Sequence, residues 1–446
     1  MYIKLLRFLF LIIPFSFIAQ LTNHSPFSKA GLGEFQQSNH AVFTSLGNTY
    51  SSYSDSNQLN FYQPASYSLL GKGQPIFSFA TTTTFFSFWE GGGHHTKRNT
   101  SIHHFALGIP FSKRLGVGFG LKPFTSKGYS IVDKTPFTDD TLINQYNGTG
   151  NINDAFLGFS MKVLKKEKHQ LSIGLQGSYL FGKTKDRRSA QLVSQKYAVV
   201  EDREIQLKAI RYEVGLQYAL KLEHHRQLQI GIIYAPAQNL TSFQERKLNT
   251  AVYVDDESSY ALIEEEKERA TILFPTIFDF GMSYVHRPKS EKTLNQKRIP
   301  QLQVFTKISM QKWSEYQNNF TTTNSETYQD VFAFGLGIEF APHFHSQDRT
   351  KNINYLSKMR YRMSWEFAKV PLVVNLNKYN KNTLAWGFYF PITNQKTLSS
   401  INIGFSYQNI ETKTKGLWNE KNFGINFGVQ IAPGFYDKWF KKYKID

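Results

Sequence analysis

The chain has no cysteine among its 446 residues. That excludes a disulfide-stapled scaffold, a thiolate zinc site and the lipid-anchored cysteine of a bacterial lipoprotein. Long apolar runs are missing beyond the N-terminus, whereas a helical transporter needs repeated runs of about 18 or more residues. Acidic residues are scarce: 34 Asp and Glu face 52 Lys and Arg, a formal net charge of +18. Charged residues together make up only 19%, too few for a disordered chain, which would also lack aromatics. Aromatics are what the chain has in quantity, at 15%, with 39 Phe and 24 Tyr.

Residues 1–20 combine a basic start, Lys4 and Arg7, with an apolar stretch from Phe8 to Ile18. That stretch is too short to span a membrane, and the pattern is that of a secretory signal peptide cleaved near Ala19 or Gln20. The expected home is a diderm bacterial envelope.

The rest of the chain alternates with period two. Phe423, Ile425, Phe427 and Val429 are apolar between small or polar neighbours, and Phe332, Phe334, Leu336, Ile338 and Phe340 repeat the pattern. Such alternation makes strands with one apolar face. It recurs in about fourteen segments: 75–89, 99–111, 114–131, 150–164, 169–184, 205–221, 226–242, 271–286, 300–314, 327–341, 355–370, 382–392, 398–411 and 420–432. Short connections such as 111–114, 164–170 and 221–227 alternate with long ones around 132–149, 185–204 and 243–270. An even strand count with turns and loops sorted by parity is the signature of an outer-membrane barrel. The expected fold is therefore all-β, a transmembrane antiparallel β-barrel of about 14 strands. Residues 21–74 precede it as a leader, and 75–446 form the barrel with a basic C-terminal tail. Aromatic girdles explain the Phe and Tyr content, with Phe111, Phe124, Tyr179, Phe181, Tyr218, Tyr284, Trp313, Trp386 and Tyr407 as candidates.

Three stretches carry a family likeness. The first is the leader, with Ser25-Pro26-Phe27-Ser28-Lys29-Ala30-Gly31-Leu32-Gly33 and Gln63-Pro64-Ala65. The second is Leu273-Phe274-Pro275-Thr276-Ile277. The third is the tail, from Phe390-Pro391-Ile392 through Asn419-Glu420-Lys421-Asn422-Phe423 to the basic and aromatic end. Together they resemble the long-chain fatty-acid transporter (FadL-type) outer-membrane family. The resemblance implies that residues 21–74 are a hatch or plug that carries an Asn-Pro-Ala motif, with Gln63 here standing in the Asn position. It also implies a kinked third strand that opens the wall sideways. Pro123 and Gly128 are the candidate positions for that opening, because proline removes a ladder donor and interior glycine weakens a strand.

Opposite the apolar stripe, candidate lumen-lining charges are Lys122, Lys162, Arg211, Glu213 and Asp279, then Lys307, Glu339, Arg360, Arg362 and Glu366. Glu339 lies on the segment adjacent to Arg360 and Arg362, so the three are placed to pair across the ladder. No catalytic motif or cofactor loop is present, and no enzyme is expected. No metal site is expected either: His103 and His104 are consecutive on a strand and should face opposite ways, and His94-His95 and His224-His225 have no ligand partners at suitable spacing. The acidic runs Asp255-Asp256-Glu257 and Glu264-Glu265-Glu266 fall in a presumed long loop, as a solvated surface.

The basic excess needs no nucleic acid. Anionic head groups of outer-membrane lipid and lipopolysaccharide suit it. Two functions are expected of such a chain. One is passive uptake of a hydrophobic, fatty-acid-like compound through the plugged lumen, with a pocket built from residues 42–70. The other is a non-transporting barrel subunit of an outer-membrane secretion or barrel-assembly complex, bound to other envelope proteins.

Overall fold

The computed structural model describes residues 23–433, apart from 30, 37–39, 72–73, 91–92, 223–225, 288–299, 320–326, 344–353, 375, 394–396, 413 and 415–418. The expectations for the signal peptide, His224-His225 and the basic tail lie outside the described residues.

Nineteen strands share one antiparallel sheet that closes on itself. In chain order they are β1 Glu34–Phe35, β2 Ile76–Glu90, β3 Gly93–Ile109, β4 Leu115–Phe137, β5 Asp140–Lys165, β6 His169–Leu192 and β7 Ala198–Lys221. Then follow β8 Gln227–Ala235, β9 Gln238–Ala251, β10 Tyr260–Phe274, β11 Ile277–His286, β12 Gln301–Gln311, β13 Gln317–Asn318 and β14 Thr327–Tyr328. The last are β15 Val331–Ala341, β16 Arg360–Val374, β17 Asn377–Thr393, β18 Leu398–Thr412 and β19 Asn419–Ile431. Fourteen of these rows make the barrel, which closes where β19 pairs with β2 from Asn419↔Trp89 to Ile431↔Phe77.

Two expected single strands are broken. β8 and β9 are interrupted at Pro236, and β10 and β11 at Pro275, because proline cannot donate to the ladder. Both halves stay in line: β7 pairs with β8 below the break and with β9 above it.

Along the barrel the dyad holds. In β15 the residues alternate buried and exposed, with Leu336, Ile338 and Phe340 outward. Two girdle candidates are elsewhere. Phe124 is buried in the lumen, at the register shift between Pro123 and Thr125 that turns β4 inward. Trp313 is buried too, in a 3-10 turn after β12 that folds over the lumen.

The long loops are not loops. β5 runs 26 residues, and β6 and β7 run 24 each, whereas about 9–11 suffice to cross a bilayer. Their far halves, with β4, β9 and β10, stand beyond the apolar band as an open six-stranded sheet. Cross-strand ion pairs join its outer side: Lys183–Glu204 at 2.6 Å, Arg187–Asp202 at 2.7 Å and Lys247–Glu265 at 3.4 Å. Of the acidic runs, Glu264, Glu265 and Glu266 lie on β10 of this sheet, and Asp255, Asp256 and Glu257 stay in the loop between β9 and β10. Glu264 and Glu266 pair with Arg246, and Asp256 caps a turn through Ser258 N–H.

Between β3 and β4 the wall is split. Their pairing runs only from Phe105↔Leu121 to Ile109↔Val117. Above Leu121 the edge of β4 pairs instead with β1, through Glu34↔Ser126 and Phe35↔Thr125.

Candidate functional site

The lumen is filled by the chain that precedes the barrel. Pro64 starts a 3-10 turn over Pro64–Leu69, where its missing N–H costs nothing. Gln63 caps that turn by accepting from Ala65 N–H, while its Nε2 donates to the Ser51 carbonyl at 2.9 Å and the wall carbonyl of Ile232 at 3.2 Å. The longer amide therefore reaches both plug and wall. A second turn, Ala41–Thr44, is capped by His40 Nδ1, which accepts from Val42 N–H at 3.1 Å. Between these turns Phe43, Leu46, Tyr50, Phe61 and Tyr67 form one core with Phe156, Ile233 and Phe305 of the wall. Most apolar side chains of residues 42–70 thus pack against each other and the wall, while Asn48 and Tyr50 also border a cavity.

The wall meets this plug with glycine. A Cβ at Gly116 would strike the backbone of Tyr67, at Gly174 that of Pro64, and at Gly231 that of Ser51. Around the remaining circumference Gly335 meets Gly47, Gly337 meets Leu46 and Gly404 meets Ala41. Plug backbone thus lies against wall glycines on β4, β6, β8, β15 and β18, and Gly158, Gly215, Gly281 and Gly387 meet plug side chains between them.

Ion pairs and hydrogen bonds tie the two parts together. Arg360 bonds Asp55 of the plug at 2.6 Å and lies 3.4 Å from Glu339. Arg362 Nε donates to Glu339 at 2.7 Å and Nη1 donates to Asn402 at 2.9 Å. Glu366 accepts from Asn48 of the plug at 2.7 Å and lies 3.9 Å from Lys307. Tyr50 donates to Asp279 at 2.8 Å. On the other side of the lumen Lys122 pairs with Asp154 at 3.6 Å and Arg211 with Glu213 at 2.9 Å. Lys162 is half-buried next to the turn after β5, and none of these pairs includes it. Sequence reasoning missed the plug partners Asp55 and Asn48, which sit in a stretch without periodicity.

Above the glycine contacts is a cavity of about 150 Å³. Phe35, Trp313, Tyr316, Tyr328 and Val331 line it, over a floor that includes Tyr50, Lys307 and Glu366. Phe35 and Trp313 ring centroids are 4.7 Å apart, and those of Tyr316 and Tyr328 4.9 Å. A cavity of this order has the volume of a benzene-sized molecule, with an aromatic wall and a charged floor.

Pro123 lies at the register shift of β4, and Gly128 packs against the Asn23 backbone and exchanges hydrogen bonds with the Ser28 hydroxyl. The N-terminal segment thus occupies the split beside both residues. Just below it, His103 and His104 both face inward, contrary to the expectation of opposite faces. A bulge opposite Ala80 and Thr81 skips His103 and cancels the alternation. Their Nδ1 atoms are 2.8 Å apart, and His40 stacks on His104. No group of three or more His, Cys, Asp or Glu suited to a metal ion occurs among the described residues.

A family model described as BamG matches residues 1–446. No curated protein matches the sequence. The fold is that of solved outer-membrane channels. The Pseudomonas putida toluene transporter TodX shares 12% identity over 90% of this chain and 99% of its own, with a TM-score of 0.55. The CymD monoaromatic hydrocarbon channel shares 10% over 90% and 100%, TM-score 0.54. A Pseudomonas aeruginosa FadL homologue shares 11% over 91% and 99%, TM-score 0.53.

Proposed function

The chain belongs to the BamG family, and from that premise we propose that it is a non-conducting outer-membrane barrel, a subunit of a barrel-assembly or secretion complex. The observation that carries this reading is the close fit of plug to wall: plug backbone or side chains against glycines of many wall strands, reinforced by the Arg360–Asp55 and Glu366–Asn48 links. A wall so closely fitted to its plug stabilises a single state, and transport through the lumen would require all of these contacts to break together. The six-stranded sheet supports the same reading. It stands clear of the bilayer on the side opposite the short turns, where other envelope proteins can reach it.

Uptake of a hydrophobic compound is the second reading, favoured by the aromatic cavity above the plug–wall contacts and by the fold shared with hydrocarbon channels. Its route would be sideways through the β3–β4 split near Pro123 and Gly128, past the N-terminal segment. In either case the barrel wall faces outer-membrane lipid, and lipopolysaccharide surrounds the projecting sheet.

Gentle detergent extraction and affinity purification from native membranes separate the two. A large protein recovered in constant ratio, with no change in hydrocarbon or fatty-acid uptake on deletion of the gene, is the outcome expected. Recovery of the barrel alone, with a hydrophobic molecule in the cavity and uptake lost on deletion, would establish the second reading instead.

A further inference from the structure

The outer wall carries a second concavity that neither reading uses. It is a groove of about 740 Å³ across β4 to β8, lined by Phe111, Leu115, Phe159, Ile173, Leu175 and Val214 among others. These side chains point away from the lumen and are exposed. The dent has a cause in the plug. Behind it Gly116, Gly174 and Gly215 face the Gln63–Ser68 turn, so the wall can be drawn in against plug backbone there. Its volume lies in the ligand-pocket range of about 300–1,000 Å³.

The groove ends at two consecutive short turns, 110–114 and 165–169. They carry Lys113, Arg114, Lys165, Lys166 and Lys168 against Glu167, and Lys221 at the end of β7 and Arg226 just before β8 add to them. Lys113, Arg114, Lys165, Lys166 and Lys168 are exposed. An apolar trough that runs up from a cationic rim matches the two ends of one molecule. We propose that this face is a specific site for an anionic glycerophospholipid of the inner leaflet. Its acyl chains lie in the groove, and its phosphate rests on the Lys113–Arg114 and Lys165–Lys168 turns. The inference rests on the barrel being embedded in the outer membrane with its short turns towards the periplasm.

The test uses the full-length protein. Lipids retained after detergent purification are identified by mass spectrometry. The protein is then reconstituted in phosphatidylcholine nanodiscs with and without phosphatidylglycerol. Phosphatidylglycerol is expected to be retained above its share of the membrane, and to raise the unfolding temperature of the wild type. A Lys165→Gln/Lys166→Gln/Lys168→Gln variant should bind it about a hundredfold more weakly, from roughly fivefold per basic residue at an anionic surface. A Leu175→Trp variant, which fills the groove and leaves the charges, should also lose the enrichment. Retained lipid that mirrors the bulk membrane, an equal response to both lipids, or unchanged retention in both variants would overturn the site. A protein seated on the groove in place of lipid would overturn it as well. Insertion into vesicles, read by protease protection, is scored separately: failure to insert counts against the embedded barrel, and insertion without enrichment counts against this site alone.

Discussion

Glu339 and Arg362 are both about 1% exposed, and their 2.7 Å contact is among the most deeply buried charge pairs in the lumen. Ions so far from water are costly singly and tolerable together. Glu339→Gln should therefore leave Arg360 and Arg362 underpaired and destabilise the folded barrel by about 3–5 kcal/mol. Glu204→Gln, which breaks the solvent-exposed Lys183 pair, should cost less than about 1 kcal/mol. The difference is measurable as the shift in denaturant midpoint of the two refolded variants in detergent. Residue type and period alone pointed to Glu339 and its arginines, because charge on the inward parity of a strand is a strong signal. The histidine pair shows the opposite case. A one-residue bulge moves His103 to the other face, and nothing in the local sequence marks it.

At the scale of strands, the barrel rows were legible and their extensions were not. Period-two hydropathy arises where the two faces of a strand meet unlike surroundings, as the apolar outer face and polar inner face of the barrel rows do. In the far halves of β5 to β7 both faces are polar, so the alternation disappears although the ladder continues. What replaces it is charge pairing. Hydrogen bonds from Arg187 and Lys185 hold the Glu257 carboxyl below its usual range, and Lys247 holds Glu245 down at about 2. A carboxylate with a depressed folded pKa adds stability above its unfolded pKa and loses it as pH falls through the folded value. The projecting sheet should therefore be ordered at neutral pH and should loosen between about pH 4 and pH 2. The effect should be partial, because Glu257 is largely exposed, and high salt should weaken it. Hydrogen exchange of residues 198–207 and 242–251 at stepped pH checks this. Protection unchanged down to pH 2 would show that backbone pairing alone orders the sheet.

At the scale of the whole molecule, the plug and the wall are one structure. β1 replaces β3 as the neighbour of β4, so cysteines at Glu34 and Ser126 would lie directly opposite one another. Opposed antiparallel residues have Cα atoms about 4.5–5.5 Å apart, within reach of a disulfide. In a chain without cysteine, Glu34→Cys/Ser126→Cys can form only that one intramolecular bond. It should appear as a mobility shift on a non-reducing gel of the purified protein, and its failure to form would place the N-terminal segment outside the split. Strand number and the outward aromatics were within reach of composition and period, and the leader's role as plug came from the family likeness of its motifs. The plug's path was not, since it depends on contacts with residues hundreds of positions away.

Those contacts bear on how the molecule is made. Ser25 donates to Glu420, Leu59 N–H donates to Gln430, and Ala41 lies against Gly404. The N-terminal plug is thus completed by strands near the C-terminus. The plug bonds to β19, the strand that closes on β2, so docking of the plug and closure of the barrel support each other. Pairings of such sequence separation form slowly, which leaves two open edges, β2 and β19, exposed to a helper until the moment they meet.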